Sequence, residues 1–162
     1  RDENITVFDT KYFMVSKTLT FKGAKPKGAN GDKGRAYVCL SGASKIAVVD
    51  IASGKTIDTI PVNGDPLNVL FHDKAPDRFY VLTGITGSIQ AFDKNTYRSL
   101  TPQKYTGFIA SKAICSDDGK IYILGESSYL KNASLGIYDI STGELTVIKS
   151  NVPLNFMVFV KF

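Results

Sequence analysis

The stretch YVCLSGASKIAVVDIASGKTIDTIPVNGDPLNVLF, residues 37–71, decides the fold because its parts recur along the chain. It contains a Tyr-led phrase, an apolar phrase that ends in Asp, and a Pro-led phrase. The Tyr-led phrase begins at Tyr37, Tyr80 and Tyr122. The Asp phrase (ITVFD, IAVVD, IQAFD or LGIYD) ends at Asp9, Asp50, Asp93 and Asp139. The Pro-led phrase contains Pro26, Pro66 and Pro153. Internal similarity with a period of about 40–50 residues indicates a propeller or a solenoid.

Each repeat has the pattern of four short β-strands. The Asp phrases are rich in Val, Ile and Phe, and KTIDTIPV, residues 55–62, alternates polar and apolar residues. RFYVLTG and KIYILGE are apolar runs typical of strands buried on both faces. We find no helical periodicity over ~11 residues or more. The order is a Pro-led strand, the Tyr strand, the Asp strand and a final strand, and four such strands make a blade of a β-propeller.

Turn-forming residues follow the Asp phrases, as in DIASGK, DKNTYR and DISTGE. An Asp at a strand end can accept a hydrogen bond from the amide two residues on, and Gly54 and Gly143 can adopt the left-handed conformation. SDDGK, residues 116–120, is a hairpin signal in which Gly119 permits a positive φ. We therefore interpret the four aspartates as turn formers rather than ligands.

The Tyr-Val, Ile-x-Val-x-Asp and Thr-Ile-x-Val phrases of residues 37–71, followed by Gly64-Asp65-Pro66, resemble the YVTN-type β-propeller repeat family, whose last phrase is Gly-x-x-Pro. The resemblance runs from residue 3 to about residue 160, and it implies an all-β propeller with four-stranded blades, usually about seven in relatives. It is weaker at 97–115, where the Pro is missing, and at 22–35, where the first strand has almost no apolar residues. It predicts a single propeller domain or segment, 1–162, with approximate blades at 1–22 (partial), 23–64, 65–106, 107–150 and 151–162 (partial).

The chain begins on a third strand of this repeat and ends on a first strand, so about four blades are present. Propellers have about four to eight blades, and an open arc would expose two sheet edges, which folded proteins avoid. Three explanations stay open: a piece of a larger propeller, a ring completed by a protein partner or a second copy, or an unusually small ring. We favour the first two.

Composition limits the class of protein. The 162 residues are 43% apolar with a net charge of +5, which is sufficient for a hydrophobic core. No apolar run reaches the roughly 18 residues that a membrane-spanning helix needs. No signal peptide is visible, but the first residue is Arg, so we expect a mature, trimmed or partial chain. Cys39 and Cys115 are too few for a disulfide framework, and we expect two buried thiols, with one bridge as the alternative.

Two glycosylation signals occur, at Asn4 and Asn132. Asn132 lies in a predicted loop and is the better candidate, because Asn4 begins a strand. Together with the family resemblance, these signals favour an extracellular or periplasmic location.

Two candidate binding regions stand out. Residues 22–35 carry five basic residues against one acidic residue, Asp32; the basic residues are Lys22, Lys25, Lys27, Lys33 and Arg35. A flexible basic loop of this kind can bind an anionic ligand, and the absence of interleaved aromatics disfavours nucleic acid. The second region is an exposed aromatic patch, for which the candidates are Tyr97, Tyr105, Phe108 and Tyr129.

Catalytic and metal-binding patterns are missing from the sequence. His72 is the only histidine, so a multi-histidine metal site is excluded, and we interpret it as a loop or rim residue. Asp117, Asp118 and Glu126 lack the spacing of a calcium loop. No phosphate-binding loop, Cys-x-x-Cys pair or nucleophile elbow occurs. The sequence therefore gives no catalytic residue, no metal site and no cofactor.

These patterns favour a non-catalytic binding or scaffold module that recognises a protein or a ligand. The alternative is a subunit or fragment of a propeller enzyme. The family resemblance implies two kinds of enzyme, a lactonase-like hydrolase and a subunit like that of a quinone-dependent amine dehydrogenase. Because propellers carry many functions, the fold alone does not decide between a binding module and an enzyme.

Overall fold

The structure is a computed structural model that describes residues 3–126 and 133–149. Its strands form one two-stranded sheet and three four-stranded sheets. The two-stranded sheet contains β1 (Asn4–Asp9) and β2 (Met14–Thr20). The first four-stranded sheet contains β3 (Pro26–Asp32), β4 (Arg35–Leu40), β5 (Lys45–Asp50) and β6 (Lys55–Pro61). The second contains β7 (Pro66–Phe71), β8 (Arg78–Thr83), β9 (Ser88–Asp93) and β10 (Lys104–Tyr105). The third contains β11 (Ile109–Ser116), β12 (Lys120–Glu126), β13 (Ala133–Asp139) and β14 (Leu145–Lys149).

Strands that are consecutive in the chain are neighbours in every sheet. Each four-stranded sheet contains the predicted succession of a first strand, a Tyr strand, an Asp strand and a final strand, so this prediction is confirmed. The only helical element in residues 3–126 and 133–149 is a single 3-10 turn, Ser41–Ala43. In this part of the chain, no helix has the length and apolarity needed to cross a membrane. The predicted strand at 153–162 and the predicted blade at 151–162 lie outside the described residues, and the blade bounds stay a prediction.

The chain divides into two compact units, Arg1–Val69 and Leu70–Phe162. In the first unit, Val38, Leu40, Ala47 and Val49 form a buried cluster. Partly buried apolar residues pack against this cluster; they are Ile5, Leu19, Phe21, Ala24, Ala36 and Ala43.

The core of the second unit contains the largest aromatic side chains of β8 and β9. The rings of Phe79 and Phe92 stack with centroids 5.4 Å apart. Phe79, Tyr80, Leu82 and Ile89 are all buried. Apolar strands buried on both faces were predicted for the Tyr phrases, and β8 confirms that pattern.

The expectation of a flexible basic loop at residues 22–35 is wrong, because residues 26–32 form strand β3. The strand has few apolar residues because its backbone passes close to another strand. A Cβ atom on Gly28 would lie less than 3.0 Å from the carbonyl oxygen of Leu67. The Asn30 side chain donates a hydrogen bond to the carbonyl oxygen of Val69 at 3.0 Å. Small and polar residues are therefore what this strand position requires.

The four aspartates form the predicted turns. Asp9, Asp93 and Asp139 accept the amide two residues on, as predicted; the donors are Lys11 at 2.8 Å, Asn95 at 2.9 Å and Ser141 at 2.9 Å. Asp50 Oδ1 instead accepts the amide three residues on, that of Ser53, at 2.7 Å. The predicted positive φ values are found at Gly54, Gly119 and Gly143. The repeated Asp is thus explained by turn geometry.

Three of these turns predict that acid destabilises the fold. Hydrogen bonds from Ser53, Thr96 and Ser141 hold the pKa values of Asp50, Asp93 and Asp139 below the ordinary value of 3.8. A carboxyl with a lowered folded-state pKa stabilises the fold above its unfolded-state pKa, and this contribution is lost as the pH falls through the folded-state value. We expect the urea midpoint to fall as the pH drops below about 4.

The matched variant is the triple change Asp50→Asn, Asp93→Asn and Asp139→Asn, since Asn keeps a turn-forming acceptor without a titrating group. Urea titrations at pH 6 and pH 3 should show a smaller midpoint difference for this variant than for the wild type. Asp73→Asn is the control, because Asp73 is exposed and accepts no turn hydrogen bond within the described residues. An equal midpoint difference in the wild type and the triple variant would contradict the explanation.

Both cysteines are free thiols, so the alternative of a bridge between them is wrong. Cys39 is buried in β4, as predicted, whereas Cys115 in β11 is only partly buried. Burial raises the pKa of the Cys39 thiol to about 12 and that of the Cys115 thiol to about 11. Thiols with raised pKa values are poor nucleophiles at neutral pH.

Candidate binding surfaces

A cavity of about 410 Å³ lies in the second unit, where three turns come together. The turns are the segment that follows β7, the β11–β12 turn and the β13–β14 turn. The polar residues that line it are Lys74, Asp77, Arg78, Asp118, Asp139 and Ser141. The volume falls in the range of small-molecule sites, but such sites are mostly apolar with few polar groups. This cavity instead carries charges of both signs.

Most of the charges in the cavity lining already have partners. Arg78 donates from Nε and one terminal nitrogen to the two carboxylate oxygens of Asp77, each at 3.0 Å. The hydrogen bond from Arg78 holds the pKa of Asp77 below its ordinary value. Asp118 pairs with Lys120 at 3.2 Å. Lys74 is the lining cation that has no ion pair within the described residues.

His72 is a structural residue rather than a ligand. Its Nε2 lies 2.7 Å from the carbonyl oxygen of Ser116, and its Nδ1 accepts the amide of Lys74 at 3.1 Å. These partners require the tautomer with a proton on Nε2. The side chain lies in the loop after β7, as predicted, but it is buried. It therefore fixes the segment after β7 against the end of β11.

Tyr80 carries a buried hydroxyl that has no hydrogen-bond partner among residues 3–126 and 133–149, which is unusual in a folded protein. Its ring lies edge-on to that of Tyr138, with centroids 5.7 Å apart. The Tyr138 hydroxyl, by contrast, is hydrogen-bonded to the side chain of Thr101. Burial raises the pKa of Tyr80 to about 12, so the hydroxyl remains protonated at all physiological pH values.

Tyr80→Phe is expected to raise the free energy of unfolding by about 1 kcal/mol, because it removes a buried polar atom without a partner. Tyr138→Phe is the matched control and should lower it by about 1 kcal/mol, because it breaks a hydrogen bond. Urea denaturation followed by circular dichroism measures both. A loss of stability in Tyr80→Phe would show that its hydroxyl has a stabilising partner.

The predicted basic residues are all exposed, but the structure does not gather them at one point. Lys25 precedes β3 and Lys33 follows it, so the seven residues of β3 lie between them. At about 3.3 Å per residue, the two ends of the strand are roughly 20 Å apart. Lys27 lies in β3 and Arg35 begins β4, whereas Lys22 lies two residues after the end of β2. An anionic ligand here stays a prediction, and such a ligand would have to be extended.

The predicted aromatic patch has mixed exposure. Tyr105 in β10 is exposed and donates a hydrogen bond to Gln103 Oε1 at 3.1 Å. Tyr97, in the turn after β9, is partly buried with a φ of 58°. Phe108 is buried, so its inclusion in an exposed patch was wrong. Tyr129 lies outside the described residues.

Of the two glycosylation candidates, only Asn4 falls in the described part. It is exposed in β1, and its Oδ1 accepts a hydrogen bond from the Thr20 hydroxyl at 2.8 Å. Asn132 lies outside the described residues. No group of three or more His, Cys, Asp or Glu in residues 3–126 and 133–149 is arranged to hold a metal ion.

Sequence reasoning missed an exposed apolar surface at the end of the β1–β2 hairpin, which we call the hairpin patch. It consists of Phe8, Tyr12, Phe13, Met14 and Val15. Phe13 is the most exposed, at 80%, and has a φ of 53°. The signal was visible in the sequence as YFMV, residues 12–15, because turns rarely carry large apolar residues such as Tyr12 and Phe13.

A second missed feature is a basic residue opposite each Asp of the four-stranded sheets. The Cα pairs are Arg35 with Asp50, Arg78 with Asp93 and Lys120 with Asp139. The sequence signal is a Lys or Arg two residues before each Tyr of the Tyr phrases. Its meaning needed the strand register, which the repeat pattern alone does not fix.

No family model matches the chain, and no curated protein matches it. Solved structures do. The hydrazine synthase of Kuenenia stuttgartiensis has a TM-score of 0.77 at 20% identity, covering 91% of this chain and 44% of that chain. Dihydro-heme d1 dehydrogenase NirN, in complex with DHE, matches with a TM-score of 0.67 at 15% identity, and the match covers 92% of this chain and 34% of that chain. A functionally unknown protein from Desulfotomaculum acetoxidans has a TM-score of 0.69 at 19% identity, covering 91% and 48%.

The chain therefore spans less than half the length of each of these structures. At such low identities the likeness shows the fold alone. Membership of the YVTN-type family stays a prediction, since no family match supports it. The four-stranded sheets and the structural neighbours together confirm the predicted fold class: the chain is all-β, with the fold of a β-propeller.

Proposed function

We propose that this chain is a non-catalytic β-propeller module that binds protein. The observation that carries the proposal is the hairpin patch. A group of exposed large apolar residues in one segment is typical of a protein interaction site, whereas single exposed apolar residues are normal. Five large apolar side chains of one hairpin are exposed, and their sheet contains two strands in the described part of the chain.

The proposal includes a partner and a location. The partner is a protein chain or a second copy that completes the set of blades. The location is extracellular or periplasmic; support for it comes from the family resemblance and the glycosylation signals of the sequence. An anionic ligand at the basic residues of β3 and β4 belongs to the same proposal.

Site-specific photo-crosslinking tests the binding function. A photoreactive aromatic amino acid at position 13, introduced in the producing cells, should give a crosslinked protein adduct of defined mass. The adduct should disappear when Tyr12→Ser is added, because that change removes a neighbouring part of the patch. Position 85 is the matched control, since Ile85 is 75% exposed but isolated from the patch along the chain. Absence of an adduct at position 13, or the same adduct at position 85, would contradict the proposal.

A second candidate function, part of an enzyme, is favoured by the cavity of the second unit. Its volume suits a small substrate, and Lys74 offers a cation that has no ion pair in the described residues. A lactone hydrolysis assay and a visible absorption spectrum of the purified protein test the two predicted enzyme classes. Lactone turnover that Lys74→Gln abolishes would favour the hydrolase, and absorbance of a bound quinone would favour the dehydrogenase subunit.

A further inference from the structure

Hydrogen bonds between turns hold the walls of the cavity of the second unit together. His72 ties the segment after β7 to the end of β11, through the carbonyl oxygen of Ser116 at 2.7 Å. Its other ring nitrogen accepts the amide of Lys74, which fixes the backbone of a lining residue. The amide of Ile140 in the β13–β14 turn donates to the carbonyl oxygen of Gly119 in the β11–β12 turn at 3.0 Å. A site with such a fixed frame loses less free energy on binding than a flexible one.

Two of the five charged side chains in the cavity lining have no ion pair in the described part of the chain. Arg78 and Asp77 pair with each other, and Asp118 pairs with Lys120. The two that remain have opposite charges; they are Lys74 and Asp139. A ligand with a single charge would meet a like charge at one of these two positions, which disfavours it.

Neither of these two charges is consumed by the protein's own hydrogen bonds. The Lys74 ammonium group has no acceptor within the described residues, and residues 127–132 and 150–162 contain no Asp or Glu. Asp139 uses Oδ1 for its turn, where this atom accepts hydrogen bonds from Ser141 and Thr142. Its Oδ2 accepts no hydrogen bond within the described residues. The hydrogen bond from the Ser141 side chain holds the pKa of Asp139 below its ordinary value, so the carboxyl is ionised at neutral pH.

Apolar groups complete the lining of the cavity. Ala75 and Ile140 are its aliphatic residues. A Cβ atom on Gly119 would be 3.5 Å from Lys74 Cδ and 3.6 Å from Ile140 Cγ1, so the stem of Lys74 and the side chain of Ile140 both cover this glycine. Such a surface favours the methylene groups of a ligand over further polar atoms.

We propose that this cavity binds a small aliphatic zwitterion of the amino-acid class, with its carboxylate at Lys74 and its ammonium group at Asp139 Oδ2. Hydrogen bonds between ionised groups are about twice as strong as neutral ones. The cavity volume of about 410 Å³ is near the lower end of the range for ligand sites, roughly 300–1,000 Å³, which suits a molecule of this size. The inference does not depend on protein binding at the hairpin patch, and it names a ligand class for the cavity of the second candidate function.

The probes are glycine, β-alanine and 4-aminobutyrate, in which one, two and three carbon atoms separate the two charged groups. Butyrate and butylamine are the matched probes that carry one charge each. Each probe is titrated into the full chain labelled with nitrogen-15, and the amide shifts are followed by NMR. We expect at least one zwitterion to give saturable shifts at Lys74, Gly119 and Ile140. Its Kd should be about tenfold lower than that of either single-charge probe, because it makes one more charged hydrogen bond.

Two lining variants separate the two ends of the ligand. Lys74→Gln should weaken binding of the best zwitterion about tenfold without weakening that of butylamine, because only the carboxylate loses its partner. Asp139→Asn should weaken the zwitterion similarly without weakening butyrate, and Asn keeps an acceptor for the turn. Lys112→Gln is the control, since Lys112 is exposed in β11 of the same unit and is not part of the cavity lining. It should leave every affinity unchanged.

Three results would overturn the inference: no saturable shift with any of the three zwitterions, equal affinities for zwitterions and single-charge probes, or equal losses in Lys112→Gln and Lys74→Gln. The experiment is also separate from the tests of the proposed function. Crosslinking at position 13 reports on the hairpin patch alone, so its failure leaves this inference standing. Turnover of a lactone by a chain that binds none of the zwitterions would favour the hydrolase and overturn the inference.

Discussion

Gly87→Ala is expected to lower the free energy of unfolding of the second unit by about 3–5 kcal/mol. Gly87 has a φ of 55°, a conformation that costs an alanine roughly 1–2 kcal/mol. A Cβ atom there would also lie less than 3.0 Å from the backbone carbonyl of Phe108 and from Thr106 Oγ1. The amide and hydroxyl of Thr106 both donate to the carbonyl oxygen of Gly87 at 2.7 Å, so the chain cannot shift without straining these bonds.

Gly107→Ala is the matched control for this prediction. Gly107 also has a positive φ, 74°, but a Cβ atom on it would meet no atom within 4 Å. Gly107→Ala should lower the free energy of unfolding by the backbone strain alone, roughly 1–2 kcal/mol. Urea denaturation of the two variants gives the comparison. Equal losses would show that the contact with Phe108 contributes nothing.

Gly28→Ala is expected to destabilise the first unit by about 2–3 kcal/mol, through crowding alone. Gly28 lies in β3 with an ordinary negative or extended backbone, so the cost comes from the carbonyl oxygen of Leu67, which is less than 3.0 Å from the Cβ position. Relief would require β3 to move away from Leu67, and that movement would stretch the hydrogen bond from Asn30 to Val69.

The control for this second prediction lies in the same strand. A Cβ atom on Gly31 would be 3.5 Å from the carbonyl oxygen of Arg35, an ordinary contact. Gly31→Ala should therefore change the free energy of unfolding by less than about 1 kcal/mol, and it can be stabilising, since Ala has less freedom than Gly in the unfolded chain. A melting temperature that is lower for Gly31→Ala than for Gly28→Ala would contradict the close approach of the two strands.

The sequence could predict the features that depend on local rules. The Asp turns and the order of strands depend on residues a few positions apart, and all four Asp turns are confirmed. The strand β3 could not be predicted from its apolar content, because it has few apolar residues. Its small residues instead allow the backbone at Gly28 to lie close to the backbone of Leu67, which is more than 35 residues away in the chain. A hydrophobic pattern detects strands that bury apolar side chains, whereas β3 requires small and polar residues.

The candidate sites were less predictable because exposure depends on packing between distant segments. Phe108 is a large aromatic that we predict from the sequence as a candidate for an exposed patch. In the structure, the ring of Phe108 occupies the space that a Cβ atom on Gly125 would need. The absence of a side chain at Gly125 in β12 therefore leaves room for the Phe108 ring to be buried. The basic partners of the aspartates needed the register of each strand pair, which only the structure gives.

The pairing of consecutive strands in every sheet has a consequence for the way the protein forms. Each strand can close on the strand synthesised just before it, so most contacts between strands join consecutive strands. Such local topology favours rapid folding and allows sheets to form in turn during synthesis. Hydrogen exchange should then show stepwise opening, with the amides of the two-stranded β1–β2 sheet exchanging before those of the four-stranded sheets.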